Sequence, residues 1–108
     1  MTSKKYKIWL DDIRPMPPGF DVHCKTGDRA IRFLSDDAVS EISLDHDLGE
    51  GMTGYDVAKF VEKAAFLGTL SRIKWAVHSS NPVGKSNIES AMLNAEKWWA
   101  YWDKTDRE

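Results

Sequence analysis

The sequence predicts an α/β fold with a small, open and mostly parallel sheet of about four strands and flanking helices. Short apolar segments alternate with longer ones whose apolar residues recur at helical spacing, an order typical of such sheets. The first apolar segment is hydrophobic at consecutive positions, which favours a central strand covered on both faces. Three apolar segments end in polar residues, as expected where parallel strands share one functional edge. The 108 residues fit a single domain, residues 1–108.

The first two strands are predicted over residues 6–11 and 20–25. The first of them contains Trp9 and ends at the acidic pair Asp11-Asp12. Only about eight proline-rich residues separate the two strands, fewer than a helical crossover usually takes. Either this first crossover lacks a helix, or the second strand runs antiparallel, and the sequence leaves both options open.

Thr26 is predicted to cap the first helix, which runs to about residue 38 with one apolar stripe. The third strand then spans residues 41–45 and, like the first, ends in an acidic residue. A Gly-rich loop follows over residues 48–54.

The second helix begins at Thr53, with Asp56 three residues on, which is the spacing of a capping box. Gly68 is a suitable end for this helix, because glycine readily adopts the left-handed conformation found at helix ends. The fourth strand is predicted over residues 72–78.

The last helix has two predicted starts, Asn81-Pro82 or the Ser86 that precedes Glu89 by three residues. Its apolar residues recur at helical spacing up to Trp102. Residues 103–108 are expected to form a solvated tail.

Charge and cysteine content limit the classes of function. The formal net charge of -2 does not favour binding to a long nucleic-acid duplex, which needs a surplus of Lys and Arg, although a nucleotide or a strand end needs only a local pocket. Cys24 is the only cysteine and is expected to be a buried small hydrophobe. We expect neither a signal peptide nor a membrane-spanning segment, and therefore a cytoplasmic location.

Polar clusters follow three of the four predicted strands. Because ligands bind where the carboxyl ends of neighbouring parallel strands meet, we expect the clusters to converge on one rim of the sheet. In chain order the clusters consist of Asp11, Asp12, Asp45, His46, Asp47, His78, Ser79, Ser80 and Asn81.

Four of these residues, Asp11, Asp12, Asp45 and Asp47, are predicted metal ligands. Carboxylates brought within a few ångströms repel one another unless some are protonated or a cation lies among them. Hard oxygen donors without clustered cysteines favour a divalent cation such as Mg²⁺ or Mn²⁺ over zinc. Taken singly, Asp12 and Asp47 are better explained as turn formers or helix caps.

Two histidines, His46 and His78, are candidate catalytic residues, because histidine exchanges protons near neutral pH. His46 lies between two aspartates, and His78 ends a strand beside two serines. His78 would equally serve as a core histidine that hydrogen-bonds the acidic loop. His23 lies within a strand in a less polar context and is interpreted as structural.

Ser79, Ser80 and Asn81 are predicted to bind phosphate, because hydroxyl groups, amide groups and the N–H groups of a helix start donate directed hydrogen bonds. Arg14 and Lys85 would add positive charge. Asn81 is equally explained as the residue that begins the last helix.

The last helix ends in the aromatic residues Trp98, Trp99, Tyr101 and Trp102. Trp99 and Trp102 continue the apolar stripe and are expected to close the core. The others are expected to be partly exposed, where they would stack on a base, bind a protein partner or mediate self-association.

Four segments together resemble the cyclic-phosphate processing receiver-like family, a divergent relative of two-component receiver domains. They are residues 9–15 (WLDDIRP), 43–49 (SLDHDLG), 53–56 (TGYD) and 78–82 (HSSNP). The resemblance runs roughly from Lys5 to the last helix. It implies a receiver-like (flavodoxin-like) fold, from which this sequence departs by a missing first helix and by a truncated end without the fifth strand that usually carries a lysine. The family is thought to act on cyclic phosphate ends, such as those left on cleaved RNA.

By position, the resemblance relates Asp11 and Asp12 to the metal-binding acids of receivers and Asp45 to their phosphoacceptor. It relates Ser79 or Ser80 to the hydroxyl residue that meets the phosphoryl group. The missing lysine argues against a signalling receiver, and the additional histidines favour acid–base chemistry.

The leading hypothesis is a metal-dependent phosphoesterase that opens a 2′,3′-cyclic phosphate or a similar small cyclic nucleotide. His46 and His78 would exchange the protons, or Asp45 would act as nucleophile and form an aspartyl phosphate. The alternative is a receiver-derived module that binds a nucleotide or a protein partner without turnover.

Overall fold

A computed structural model describes residues 4–106. Within this range the chain forms four strands and three helices, which confirms the predicted α/β class. In chain order they are β1 (Tyr6–Leu10), β2 (Val22–Cys24), α1 (Gly27–Ser35), β3 (Val39–Leu44), α2 (Gly54–Leu67), β4 (Lys74–Val77) and α3 (Pro82–Asp106).

The four strands form one sheet in the order β2-β1-β3-β4, and every neighbouring pair is parallel. This receiver-like arrangement decides the direction of β2, which the sequence left open. The connection over residues 11–21 contains no helix, as expected. An extended chain covers about 3.3 Å per residue, so this connection can return past a strand as short as β1. It is held at its end because the N–H of Asp21 donates to the carbonyl of Lys7 at 2.8 Å.

Side chains alternate between the two faces of the sheet, and the helices pack against one face. The core on that face combines residues from all three helices with six strand residues, and α2 lies between α1 and α3. The strand residues are Ile8, Leu10, Cys24, Val39, Ile42 and Leu44. On the opposite face, Lys74 and Ala76 are exposed. Trp9 is buried there, and its ring meets that of Phe20 from the β1–β2 connection with centroids 5.4 Å apart. A loop, and not a helix, therefore covers the second face of β1.

The predicted caps are present at the start of each of the three helices, and at α1 Oγ1 of Thr26 accepts a hydrogen bond from the N–H of Arg29 at 3.3 Å. The capping box of Thr53 and Asp56 is present at the start of α2, and Gly68 ends that helix with a φ of 73°. At α3 the Asn81 side chain accepts a hydrogen bond from the N–H of Gly84 at 3.0 Å, so the Asn81-Pro82 start is confirmed and the Ser86 start is wrong.

The predicted tail is solvated where the structure describes it, but it continues the last helix. Residues 103–105 are exposed, but α3 continues through them to Asp106. Successive backbone hydrogen bonds propagate a helix without requiring a buried face, so a polar end can remain helical. Residues 107–108 lie outside the described residues. None of the helices within residues 4–106 combines the length and the hydropathy that a bilayer span requires.

Replacing Thr53 with alanine is expected to lower the free energy of unfolding by about 1 kcal/mol, because the N–H of Asp56 loses its capping acceptor.

The backbone hydrogen bond from Thr53 is the main reason that the pKa of Asp56 lies below its ordinary value of 3.8. The stabilisation from Asp56 is therefore fully present above that ordinary value and is lost as pH falls through the lowered pKa. Urea denaturation of wild type and Asp56→Asn over this acidic range measures the loss of this stabilisation. An equal pH dependence of the free energy of unfolding in the two proteins would contradict the role of Asp56.

Candidate functional site

The strand register places the residues that follow β1, β3 and β4 in one row. Leu10 pairs with Leu44, and Leu44 pairs with Val77. The ladder continues for one more residue, since the N–H of Asp45 donates to the carbonyl of Leu10 and the N–H of His78 donates to that of Leu44, each at 3.0 Å. Asp11 follows Leu10 directly. The row therefore brings Asp11, Asp45 and His78 to one rim of the sheet.

The three side chains in this row form a compact group, which we call the rim triad. One ligand atom from each of Asp11, Asp45 and His78 lies within 4.8 Å of the others. Asp11 is 1% exposed and Asp45 is 8% exposed. Two carboxylates so far removed from water are rare unless they are paired or bind a cation.

Asp11 is held by hydrogen bonds at both oxygens. Oδ1 accepts from the backbone N–H groups of Ile13 and Arg14, each at 2.8 Å, and Oδ2 lies 2.9 Å from Nε2 of His78. Burial raises the pKa of Asp11, but the two backbone hydrogen bonds and the His78 contact outweigh it, so the pKa is lowered overall. Asp11 is therefore a carboxylate at neutral pH.

Asp45 has a pKa shifted in the opposite direction. Its Oδ1 accepts a hydrogen bond from the backbone N–H of His46 at 2.9 Å. Burial, and then repulsion from the Asp11 charge, raise the pKa of Asp45. The His46 hydrogen bond and the charges of His78 and Arg14 oppose this shift without reversing it. A cation beside Asp45 would relieve both the burial penalty and the repulsion.

His78 is enclosed on three sides. Nε2 faces Asp11, Nδ1 lies 2.7 Å from Oγ of Ser43, and the ring stacks on that of Trp9 with centroids 3.8 Å apart and planes 7° apart. Burial lowers the pKa of His78 and outweighs the opposing attraction of Asp11 and Asp45. The backbone carbonyl of His78 accepts a hydrogen bond from the guanidinium of Arg14, which ties the first connection to the end of β4.

The donor set of the rim triad fits a metal ion. Two carboxylates and one imidazole are common ligands, and the raised pKa of Asp45 indicates a shortage of positive charge at this position. Asp11, Asp45 and His78 could therefore hold a metal ion.

A family model for the cyclic-phosphate processing receiver domain matches residues 6–94. The chain belongs to this family. The match of the cyclic-phosphate processing receiver domain extends from the start of β1 well into α3, and it includes every member of the rim triad. The family description associates this receiver domain with cyclic-phosphate processing. No curated protein and no solved structure matches the chain.

Other predicted site residues of this receiver domain line a depression beside the rim triad. Its walls include Asp11 and Asp45 of the triad, two further acids and two predicted phosphate contacts. The additional predicted residues are Asp12, Asp47, Arg14 and Ser80. The exposed side chain of Ile13 also contributes to the wall, at 83% exposure. The acid-bearing ends of β1 and β3 and the serine-bearing end of β4 thus meet around one opening.

Three predicted phosphate contacts are placed differently. Oγ of Ser79 accepts from the N–H of Asn81 at 3.1 Å, and the Asn81 side chain caps α3. Both groups therefore have an intramolecular role in the receiver domain. Lys85 is exposed and is not among the residues that line the depression.

His46 is not among the residues that line the depression. Its ring packs against Gly84 so closely that a Cβ atom at Gly84 would lie 2.2 Å from it. Its Nδ1 is buried and has no hydrogen-bond partner within residues 4–106. His46 contacts the rim triad through its backbone N–H, while its catalytic role stays a prediction. His23, by contrast, donates from Nε2–H to the carbonyl of Asp11 at 2.7 Å, in keeping with its structural interpretation.

Two residues of the site, Trp9 and Ser43, were not predicted from the sequence. Both pack against His78. One signal was available, because Ser43 lies two residues before Asp45 and therefore on the same face of β3. A serine in a strand that is otherwise apolar at its end also requires a hydrogen-bond partner when buried, and Ser43 is 5% exposed.

Proposed function

We propose that this receiver domain is a metal-dependent phosphoesterase that opens a cyclic phosphate, either a 2′,3′-cyclic end of RNA or a small cyclic nucleotide. The observation that carries the proposal is the rim triad, in which two buried carboxylates and an imidazole approach within 4.8 Å at the strand ends. Its place in a parallel sheet is where ligands of such folds bind. Membership of a family described by cyclic-phosphate processing supports the choice of substrate class.

The carboxylates of Asp11 and Asp45 are proposed to hold the metal ion, with Asp12 and Asp47 nearby in the wall of the depression. Their hard oxygen donors match Mg²⁺ or Mn²⁺. When bound, such an ion neutralises phosphate charge and lowers the pKa of a water molecule.

His78 is proposed to take part in hydrolysis as a hydrogen-bond donor within the site, because it is the one histidine whose ring belongs to the rim triad. Burial keeps its pKa below the ordinary value, so a neutral ring prevails at neutral pH. Arg14 and Ser80 line the same depression and would bind the phosphate oxygens. The burial of the triad limits access of bulk water to the reacting groups.

Purified protein incubated with nucleoside 2′,3′-cyclic monophosphates, 3′,5′-cyclic nucleotides and a short RNA with a cyclic end tests the proposal. In the presence of Mg²⁺ or Mn²⁺ we expect a linear monophosphate product, detected by ³¹P NMR and chromatography. Chelation should abolish its formation. Absence of product with every substrate and both metals, while the protein remains folded by circular dichroism, would reject the hydrolase.

A second candidate, a binding module without turnover, is favoured by one surface of the helical layer. Phe66 and Tyr101 are 49% and 52% exposed, and their rings enclose that of Trp98 at centroid distances of 4.7 Å and 6.0 Å. Trp99 is buried in the core, as expected, but Trp102 is only half-buried, with its indole N–H donating to the carbonyl of Ala65 at 3.0 Å, and it is Trp98 that packs against the core instead. Exposed aromatic clusters mark contacts with partners or with a second copy.

Calorimetry separates the two candidates. A binding module would take up a cyclic nucleotide without releasing product, and binding would survive in His78→Ala.

For the aromatic surface, we expect sedimentation to show self-association that Tyr101→Ser reduces, with Thr105→Ser on the same helix as control. A wild-type protein that stays monomeric at about millimolar concentration, a range in which weak contacts form, would remove self-association and leave only a partner protein.

A further inference from the structure

The ring of His78 is held by contacts that decide which of its nitrogen atoms carries hydrogen. Nε2 faces Oδ2 of Asp11 at 2.9 Å, and Nδ1 faces Oγ of Ser43 at 2.7 Å. Stacking on Trp9 at 3.8 Å prevents the ring from turning out of this plane. The side chain of His78 is only 16% exposed, so these groups are its main partners.

The partner at Nε2 accepts only. Asp11 already receives two backbone N–H groups at Oδ1, which favours its ionised form. An ionised carboxylate has no hydrogen to donate. Nε2 of His78 therefore carries a hydrogen whether the ring is neutral or protonated.

Ser43, the partner at Nδ1, can hydrogen-bond to both the neutral and the protonated form of the His78 ring. A serine hydroxyl both donates and accepts, so Ser43 donates to Nδ1 of a neutral ring and accepts from Nδ1–H of a protonated ring. Ser43 is 5% exposed, and burial of a hydroxyl without a partner would be unfavourable. The contact with His78 satisfies that requirement.

The sheet register explains why a small residue stands at this position. Ser43 pairs with Trp9 on one side and with Ala76 on the other. The side chains of Ser43 and Ala76 are small, and they leave room for the His78 ring to extend across β3 and stack on the indole of Trp9. A bulky residue at position 43 would occupy the space of the ring.

We propose that Ser43 is a positioning residue that holds His78 with Nε2–H directed at Asp11, so that of the three groups of the rim triad only the two carboxylates would bind a metal ion and His78 serves this site as a hydrogen-bond donor. A metal bound at Nε2 would require the loss of that hydrogen and of the Asp11 contact. The hydrogen position does not depend on catalysis. Its consequence for turnover rests on the proposed function, because His78 would then orient the Asp11 carboxylate that is proposed to hold the metal ion.

Long-range ¹H–¹⁵N correlation of the imidazole nitrogens tests the hydrogen position in the resting protein. At a pH where the ring is neutral, we expect wild-type His78 to show a protonated Nε2 and an unprotonated Nδ1. Titration with Mg²⁺ alone should leave this pattern in place. An Nδ1–H form in the resting protein, or loss of the Nε2 hydrogen on adding Mg²⁺, would overturn the proposal. These readouts need no variant and hold even if the protein has no hydrolase activity.

Variants of β3 connect the hydrogen position to Ser43. In Ser43→Ala we expect a mixture of the two neutral forms of His78, one with its hydrogen on Nε2 and the other with its hydrogen on Nδ1. Ser43→Thr retains the hydroxyl and should therefore show the Nε2–H form of the wild type. Ser40→Ala on the same strand is the matched control. If the hydrolase is active, Ser43→Ala should lower kcat about tenfold with little change in KM, because residues that orient a site typically contribute 10–100-fold. A wild-type ring pattern in folded Ser43→Ala would contradict a positioning role.

Discussion

Asp45→Asn is expected to reduce metal-dependent turnover of cyclic phosphate by about 10³-fold, a loss typical of removing one preorganised electrostatic contact. The substitution keeps the size of the side chain and an oxygen that accepts the N–H of His46, but it removes the charge proposed to hold the cation. Calorimetric titration with Mg²⁺ should show a parallel loss of affinity. Asp36→Asn, an exposed acid at the end of α1, is the matched control.

The same variant should be more stable than wild type when no metal is added. Burial and the Asp11 charge raise the pKa of Asp45 in the folded state, so its ionisation at neutral pH opposes folding. This destabilisation is present above the raised pKa and is relieved as pH falls below it. Asp45→Asn removes it, and we expect a higher Tm than wild type at neutral pH but no further increase on adding Mg²⁺. A lower Tm in the variant, or turnover within a few-fold of wild type, would contradict the assigned role.

Gly54→Ala is expected to lower the free energy of unfolding by about 3 kcal/mol, the upper end of typical overpacking. Gly54 is the first residue of α2, and a Cβ atom there would lie 1.8 Å from the backbone carbonyl oxygen of Asp45. Its N–H also donates to the carbonyl of His46 at 2.9 Å. A backbone neighbour cannot move aside as a side chain can, so the strain would displace the loop that carries the rim acid.

Gly27→Ala provides the matched control for this prediction. Gly27 is the first residue of α1, so both substitutions change helix propensity at the same position of a helix. A Cβ atom at Gly27 would meet Cβ and Sδ of Met52 at 2.9 Å and 3.0 Å and Cγ2 of Val57 at 3.1 Å, which are side-chain contacts and much less severe than 1.8 Å from a backbone oxygen. Denaturant unfolding should therefore show a clearly larger loss for Gly54→Ala. Equal losses in the two variants would mean that the contact with Asp45 does not constrain position 54.

Features that depend on short stretches of chain were predictable from the sequence. Alternating apolar segments predicted the four strands, and the Thr53–Asp56 spacing predicted the start of α2. The convergence of Asp11, Asp45 and His78 was predictable because the carboxyl ends of parallel strands share one edge. Each of these follows from periodicity, from local hydrogen bonding or from a general rule of chain topology.

The tertiary structure alone decided the features that depend on register and packing. The direction of β2, the packing of His46 against Gly84 and the placement of Ser43 beside His78 join residues distant in sequence. The hydrophobic pattern shows which face a residue occupies, but it does not show which side chain lies opposite. Contacts of this kind are set by ångström-scale distances between packed elements, and those distances arise only when the whole core is assembled.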